Sequence, residues 1–94
     1  MTVETLLGRE GEIFSIAFAD GTLDLTLVAV ERMPDEWGRA ERVVPFSITL
    51  EDPTGRLLPQ QVWALDHDEL GRLEIFLVPL GPEGEATRYQ AVFT

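Results

Sequence analysis

Between Leu58 and Phe93, apolar and polar residues alternate in three successive runs separated by short turn signals. In the middle run Leu73, Ile75 and Leu77 alternate with Arg72, Glu74 and Phe76. A period of two places one face of an extended strand in a core and the other outside. Gly71 and Gly81 punctuate the ends of that run. The pattern predicts strands over about Gln60–Asp66, Arg72–Pro79 and Thr87–Phe93, with Gly81-Pro82-Glu83-Gly84 as a hairpin tip.

The first half of the chain is less regular. Glu12 to Ala19 reads as a strand carrying Ile13, Phe14, Ile16 and Phe18, and Asp20-Gly21 supplies a hairpin turn of the positive-φ kind. A second strand runs from about Leu23 to Arg32. Its first half alternates, and its second half, Leu27 to Val30, is apolar on both faces. From Val43 to Glu51, Val44, Phe46, Ile48 and Leu50 share a face, with Ser47 and Thr49 on the other. Pro45 has no N–H to donate, which argues for an edge position at the start of that strand. Asp52-Pro53-Thr54-Gly55 then turns the chain. Thr2 to Gly8 fits one or two helical turns, with Thr2 as N-cap, Glu4 in the first turn and Gly8 as terminator. So short a helix does not persist alone, and Leu6 and Leu7 have an obvious use as an apolar plug at one end of a barrel. Met33 to Arg42 has no period, contains Pro34 and Gly38, and is a true loop.

These elements predict an all-β fold: a small, meander-like antiparallel barrel or strongly curled sheet of about six strands with a short N-terminal helix, and a two-sheet sandwich as the alternative. Hairpins are expected between strands one and two, four and five, and five and six. The whole chain, 1–94, forms one domain, since 94 residues supply one core and little else.

Composition removes several functions. With 45% hydrophobic and 26% charged residues the chain belongs with globular domains. There are 17 acidic residues against 7 basic ones, a net charge of -10, and every basic residue is a scattered Arg. Phosphate backbones and anionic lipid surfaces bind clustered cations, so nucleic acid and membrane are excluded as partners. Lys, Asn and Cys are all missing. Without Cys there are no disulfides, thiolate metal sites or Cys nucleophiles. No signal peptide and no apolar run of about 18 residues is seen, and a cytoplasmic location is expected.

Candidate chemistry is thin. His67 is the single histidine and lies in Asp66-His67-Asp68-Glu69, which invites a general base or a metal ligand. A histidine metal site needs more nitrogen or sulfur donors than the chain has, and a carboxylate Ca²⁺ loop needs a different spacing. The ordinary reading is a turn residue whose ring bonds backbone or a carboxylate. Neither Ser15 nor Ser47 sits in a nucleophile elbow, and a Ser47-His67-Asp66 triad exists only on paper. Asp24 with Glu74 is a nominal glycosidase pair, but both read as outward strand positions. No catalytic residues, cofactor or metal are assigned. Trp37, in the charged loop, is a lid on the core or an exposed anchor for a partner, while Trp63 shares a face with Leu65 and reads as core.

Phe46-Ser47-Ile48, Asp52-Pro53, Leu58-Pro59-Gln60, His67-x-x-Leu70-Gly71, Phe76-Leu77-Val78-Pro79-x-Gly81 and Tyr89-x-Ala91-Val92-Phe93 occur in that order. This series resembles an uncharacterised family of small bacterial β domains, a domain of unknown function, over nearly the whole chain. Two positions depart from it: the family has Gly and Tyr after Leu-Pro-Gln, where this chain has Gln61 and Trp63. The resemblance implies kinship of fold and a setting near phage-tail-like genes, with no catalytic residues to carry over.

The function expected is a non-enzymatic structural or protein-interaction module, accessory to a phage-tail-like assembly; a small-ligand-binding barrel is the alternative and a hydrolase the third reading. If the core takes Leu73, Ile75 and Leu77, then Phe76 and Val78 point outward. Unless the helix covers them, with Val28, Val30 and Val92 they form an apolar patch that needs a homodimer or a protein partner.

Overall fold

The computed structural model describes residues 3–32 and 45–93. Thr2, Trp37, the Met33–Arg42 loop, Val43 and Val44 lie outside the described residues. The elements are α1 (Val3–Leu6), β1 (Ile13–Phe18), β2 (Gly21–Arg32), β3 (Phe46–Asp52), β4 (Gln61–His67), β5 (Gly71–Glu83) and β6 (Ala86–Phe93). All strand pairs are antiparallel, and they close into a barrel in the order β1-β2-β3-β6-β5-β4. The barrel expected from the alternating pattern is therefore present, and so are the three expected hairpins.

The order is not a meander. β3 pairs with β6, from Phe46↔Phe93 to Asp52↔Thr87, and the connection after β3 carries the chain away to β4. Asp52 starts this departure. Its side chain is fully buried, and its carboxylate accepts the Thr54 N–H at 2.9 Å and hydroxyl at 2.7 Å through Oδ1, and the Arg56 N–H at 2.8 Å through Oδ2. Side-chain acceptance of backbone donors two to four residues on is how Asp makes a turn. Pro45 lies just before β3 rather than on an edge strand, because β3 has a neighbour on each side.

Two bulges account for the stretches that defy simple alternation. Between Leu27↔Leu50 and Ala29↔Thr49, β2 holds one residue more than β3, so Val28 is the extra residue. A one-residue insertion swaps the faces of everything after it. Leu23, Leu25 and Leu27 point inward before the bulge, and Val30, opposite Ile48, packs against the core after it. Val30 is thus not part of an outer patch. In β5 the extra residue is Leu80, between Pro79↔Tyr89 and Gly81↔Arg88. This bulge carries β5 past its two prolines to Glu83, and the hairpin tip is Gly84-Glu85 instead of the four residues expected. In the β1–β2 turn only Gly21 has positive φ (145°), so Asp20 does not share that conformation.

Phe14, Leu25, Leu27, Phe46, Ile48, Leu50, Leu65, Ile75, Leu77 and Tyr89 fill the barrel. An interior of six short strands is just filled by side chains of this size. Helix α1 sends Val3 and Leu6 into this core, while Leu7 is exposed, so the plug is Val3 and Leu6 rather than Leu6 and Leu7.

Removing the Tyr89 hydroxyl tests how the crossover is held. Tyr89 Oη donates to the Arg56 carbonyl at 2.6 Å and accepts the Leu58 N–H at 2.8 Å. Tyr89→Phe leaves both backbone groups without that partner, and a loss of about 1–3 kcal/mol in urea unfolding is expected. Gly55→Ala should also destabilise, because φ is 76° and an added methyl runs into the Glu85 carbonyl. Wild-type urea midpoints in both variants would contradict this account of the crossover.

Candidate functional site

The seam where the barrel closes has little backbone pairing. β1 and β4 share one rung, Ser15↔Asp66. Extending that register places Phe14 across from His67, Ile16 from Leu65 and Phe18 from Trp63. The side chains follow suit. The Phe14 and His67 rings lie 4.8 Å apart, the Phe18 and Trp63 rings 5.9 Å apart, and Ile16 and Leu65 are both in the core. Aromatic pairs across strands add attraction beyond their buried area.

At one end of the seam stands His67. It is the last residue of β4, almost fully buried, and its Nδ1 accepts the N–H groups of Glu69 (3.0 Å) and Leu70 (3.1 Å). With Nδ1 acting as acceptor, the ring proton sits on Nε2, which donates to Glu12 Oε1 at 2.6 Å. The expected turn residue bonding backbone and carboxylate is what the structure contains. The carboxylate, however, comes from just before β1 and not from the Asp-His-Asp-Glu run. Glu12 is placed by backbone bonds to β2: the Gly11 N–H reaches the Leu27 carbonyl and the Leu27 N–H the Glu12 carbonyl. Arg9 completes the cluster, with Nη1 donating to Glu12 (3.1 Å) and Glu69 (2.9 Å) and Nε to the Thr5 carbonyl (2.9 Å). The His67 hydrogen bond, followed by the one from Arg9, holds the Glu12 carboxyl below the usual carboxylate range. Glu12, Ile13, His67, Asp68 and Glu69 border a shallow depression of about 250 Å³.

At the other end, the Trp63 indole N–H donates to the Pro59 carbonyl at 3.1 Å and the Arg56 guanidinium lies 4.2 Å over the Phe18 ring. Trp63 is thus half-buried at the rim and packed against the core rather than inside it.

The paper constellations do not assemble. Ser47 is on β3 and His67 on β4, strands that are not neighbours, and both ring nitrogens of His67 are engaged elsewhere. Asp24 is on β2 and Glu74 on β5, opposite walls of the barrel, and both are exposed. Asp24 Oδ1 instead accepts the Ser15 hydroxyl from the facing position of β1 at 2.8 Å. Among the described residues no group of three or more His, Cys, Asp or Glu is placed to hold a metal ion, and no helix is long and apolar enough to cross a membrane.

Each described arginine has at least one partner within the domain. Arg9 joins the His67 cluster, Arg32 reaches Glu4 at 3.6 Å, and Arg56 covers Phe18. Arg72 and Arg88 bond the carboxylates directly across their ladders, Asp66 and Glu51, each at 2.8 Å. The Arg72 hydrogen bonds draw the Asp66 carboxyl below its ordinary range.

Among the exposed apolar residues described, three come together outside the barrel. Val62 on β4 faces Phe76 on β5, and continuing the Val78↔Gln90 register of β5–β6 by two residues places Val92 beside Phe76. These three outward side chains are 55%, 48% and 51% exposed. The helix does not cover them, since its apolar residues go into the barrel end. Val78 is half-buried and lies at the margin of the row.

Depressed carboxyl groups make stability depend on acid. Glu12 and Asp66 titrate lower in the fold than in the unfolded chain, so their contribution is fully present above the unfolded value, 4.5 for Glu12 and 3.8 for Asp66, and is lost as pH falls through the folded values. The urea midpoint should fall steadily below about pH 4.5, and Glu12→Gln should flatten that dependence. An unchanged slope in Glu12→Gln would show that the cluster does not contribute.

No curated protein and no solved structure matches the chain. A family model does, over residues 1–93, in keeping with the ordered motifs from Phe46-Ser47-Ile48 to Tyr89-x-Ala91-Val92-Phe93 and with the barrel they build. The chain belongs to the DUF6916 family, a domain of unknown function.

Proposed function

We propose that this domain is a non-enzymatic protein-interaction module whose contact surface is the outer face of β4, β5 and β6 centred on Phe76. The row Val62, Phe76 and Val92 carries this reading: three large apolar groups stand side by side on adjacent strands, half exposed and with none of the described residues covering them. Exposed apolar residues scattered singly are ordinary, but contiguous ones mark contact sites. Val78 flanks the row, and the partner is a protein, whether another copy or a different chain.

A binding role rather than a catalytic one is supported by His67, whose two nitrogens are committed to fold-holding bonds. A ligand inside the barrel is disfavoured by the side chains that fill it. An accessory place in a phage-tail-like assembly is the setting that the sequence resemblance implies, and a contact face suits it.

Phe76→Glu tests the reading. Its side chain projects from the sheet, so the variant should keep its thermal transition within a few degrees of wild type while association, followed by light scattering, is lost. A wild type that is monomeric, coupled with a Phe76→Glu variant that unfolds, would place Phe76 in the domain's own core and remove the contact surface.

A further inference from the structure

The two edges of β5 are used differently. On one side its Gly71–Leu77 half pairs with β4, from His67↔Gly71 to Gln61↔Leu77. On the other side pairing with β6 begins only at Val78↔Gln90. By the continued register residues 91–93 of β6 still flank residues 75–77, so among the described residues it is the second edge of residues 71–74 that has no strand alongside, and a cleft of about 530 Å³ lined by Arg72, Leu73, Glu74 and Phe93 runs along it. An unpaired strand edge is a template for another strand.

We propose that this edge pairs with the same edge of a second copy, β5 against β5 about a two-fold axis at Leu73; the inference rests on the protein-contact reading and specifies its partner. A two-fold axis perpendicular to the sheet keeps inward residues opposite inward ones, so the axis must pass through a residue. Centred on Glu74, the pairing sets Glu74 against its own copy, like charge on like. Centred on Ile75, it sets Glu74 against Phe76. Centred on Leu73, it sets Arg72 against the copy's Glu74 and Glu74 against the copy's Arg72, two opposite-charge pairs from the self-complementary run Arg72-Leu73-Glu74.

The groups are available for this. Glu74 is exposed and faces Ala64 on β4, so it has no charged partner across that ladder. Arg72 spends Nε and Nη2 on Asp66, which leaves Nη1 free to donate, since guanidinium carries donors on all three nitrogens. Leu73, half-buried beside the cleft, meets its own copy on the axis and closes the gap next to Phe93. With ten net negative charges on each chain, a register that matches opposite charges is the one that association favours.

Two measurements test this. In sedimentation equilibrium, Glu74→Arg, which keeps the Arg72–Asp66 pair and sets Arg against Arg in the dimer, should weaken self-association at least tenfold with an unchanged circular dichroism melt. In the second, the cysteine-free chain is given one thiol at a time. Directly opposed residues lie about 4.5–5.5 Å apart at Cα, within disulfide range, so Leu73→Cys should crosslink to a covalent dimer on mild oxidation and Glu74→Cys should remain at background. Wild type that stays monomeric at every concentration, or Glu74→Cys crosslinking in preference to Leu73→Cys, overturns the inference. Association abolished by Phe76→Glu but indifferent to Glu74→Arg overturns the β5 edge alone and leaves the outer face as the contact; unfolding of Phe76→Glu removes the contact reading itself.

Discussion

A sheet closed into a barrel must join its first and last strands, and here β1 and β4 meet through a single backbone rung, Ser15↔Asp66. The closure depends on side chains. Phe14 against His67 and Phe18 against Trp63 stand at the two ends of the seam, with Ile16 and Leu65 buried between them. Each end is then tied down from outside the two strands. Glu12 and Arg9 hold His67 at one end, and Arg56 and Pro59, from the crossover, hold Phe18 and Trp63 at the other. The crossover can do this because Tyr89 Oη and the Asp52 carboxylate fix its course. Seam, crossover and helix form one mechanical unit, and the lone histidine belongs to it.

That assignment shapes the functional reading. His67 and Glu12 at the seam, and Tyr89 and Asp52 at the crossover, direct hydrogen bonds at backbone or at a neighbour. Burial of the Tyr89 hydroxyl raises its titration above 10.0, so the clamp is intact at neutral pH; the stability it confers is present below that value and declines as pH rises beyond it, when the unfolded chain ionises first. Among the described residues, the row Val62, Phe76 and Val92 stays exposed on the outer face, apart from this closure.

Much of this was legible in the sequence. Alternation located all six strands, because a half-buried strand has to write its faces into its residues. Leu27 to Val30 and Leu77 to Pro82 were opaque for one reason: a bulge reverses the faces, and no residue spells out the extra position. Strand order was hidden as well, since pairing of β3 with β6 depends on the Asp52 turn aiming the chain across the barrel end. The outward position of Phe76 could be read from parity alone. The His67 knot could be read only as a turn, for its carboxylate lies 55 residues away in the chain, and no local pattern links Glu12 to it.

The most direct test of closure by side chains is a double-mutant cycle on the seam. Phe18→Ala, Trp63→Ala and the double variant are compared with wild type in urea unfolding. The account predicts a coupling energy of about 0.5–1.5 kcal/mol between the two positions. Strictly additive losses, with no coupling, would mean that the rings do not close the barrel together and that the seam is held by something else.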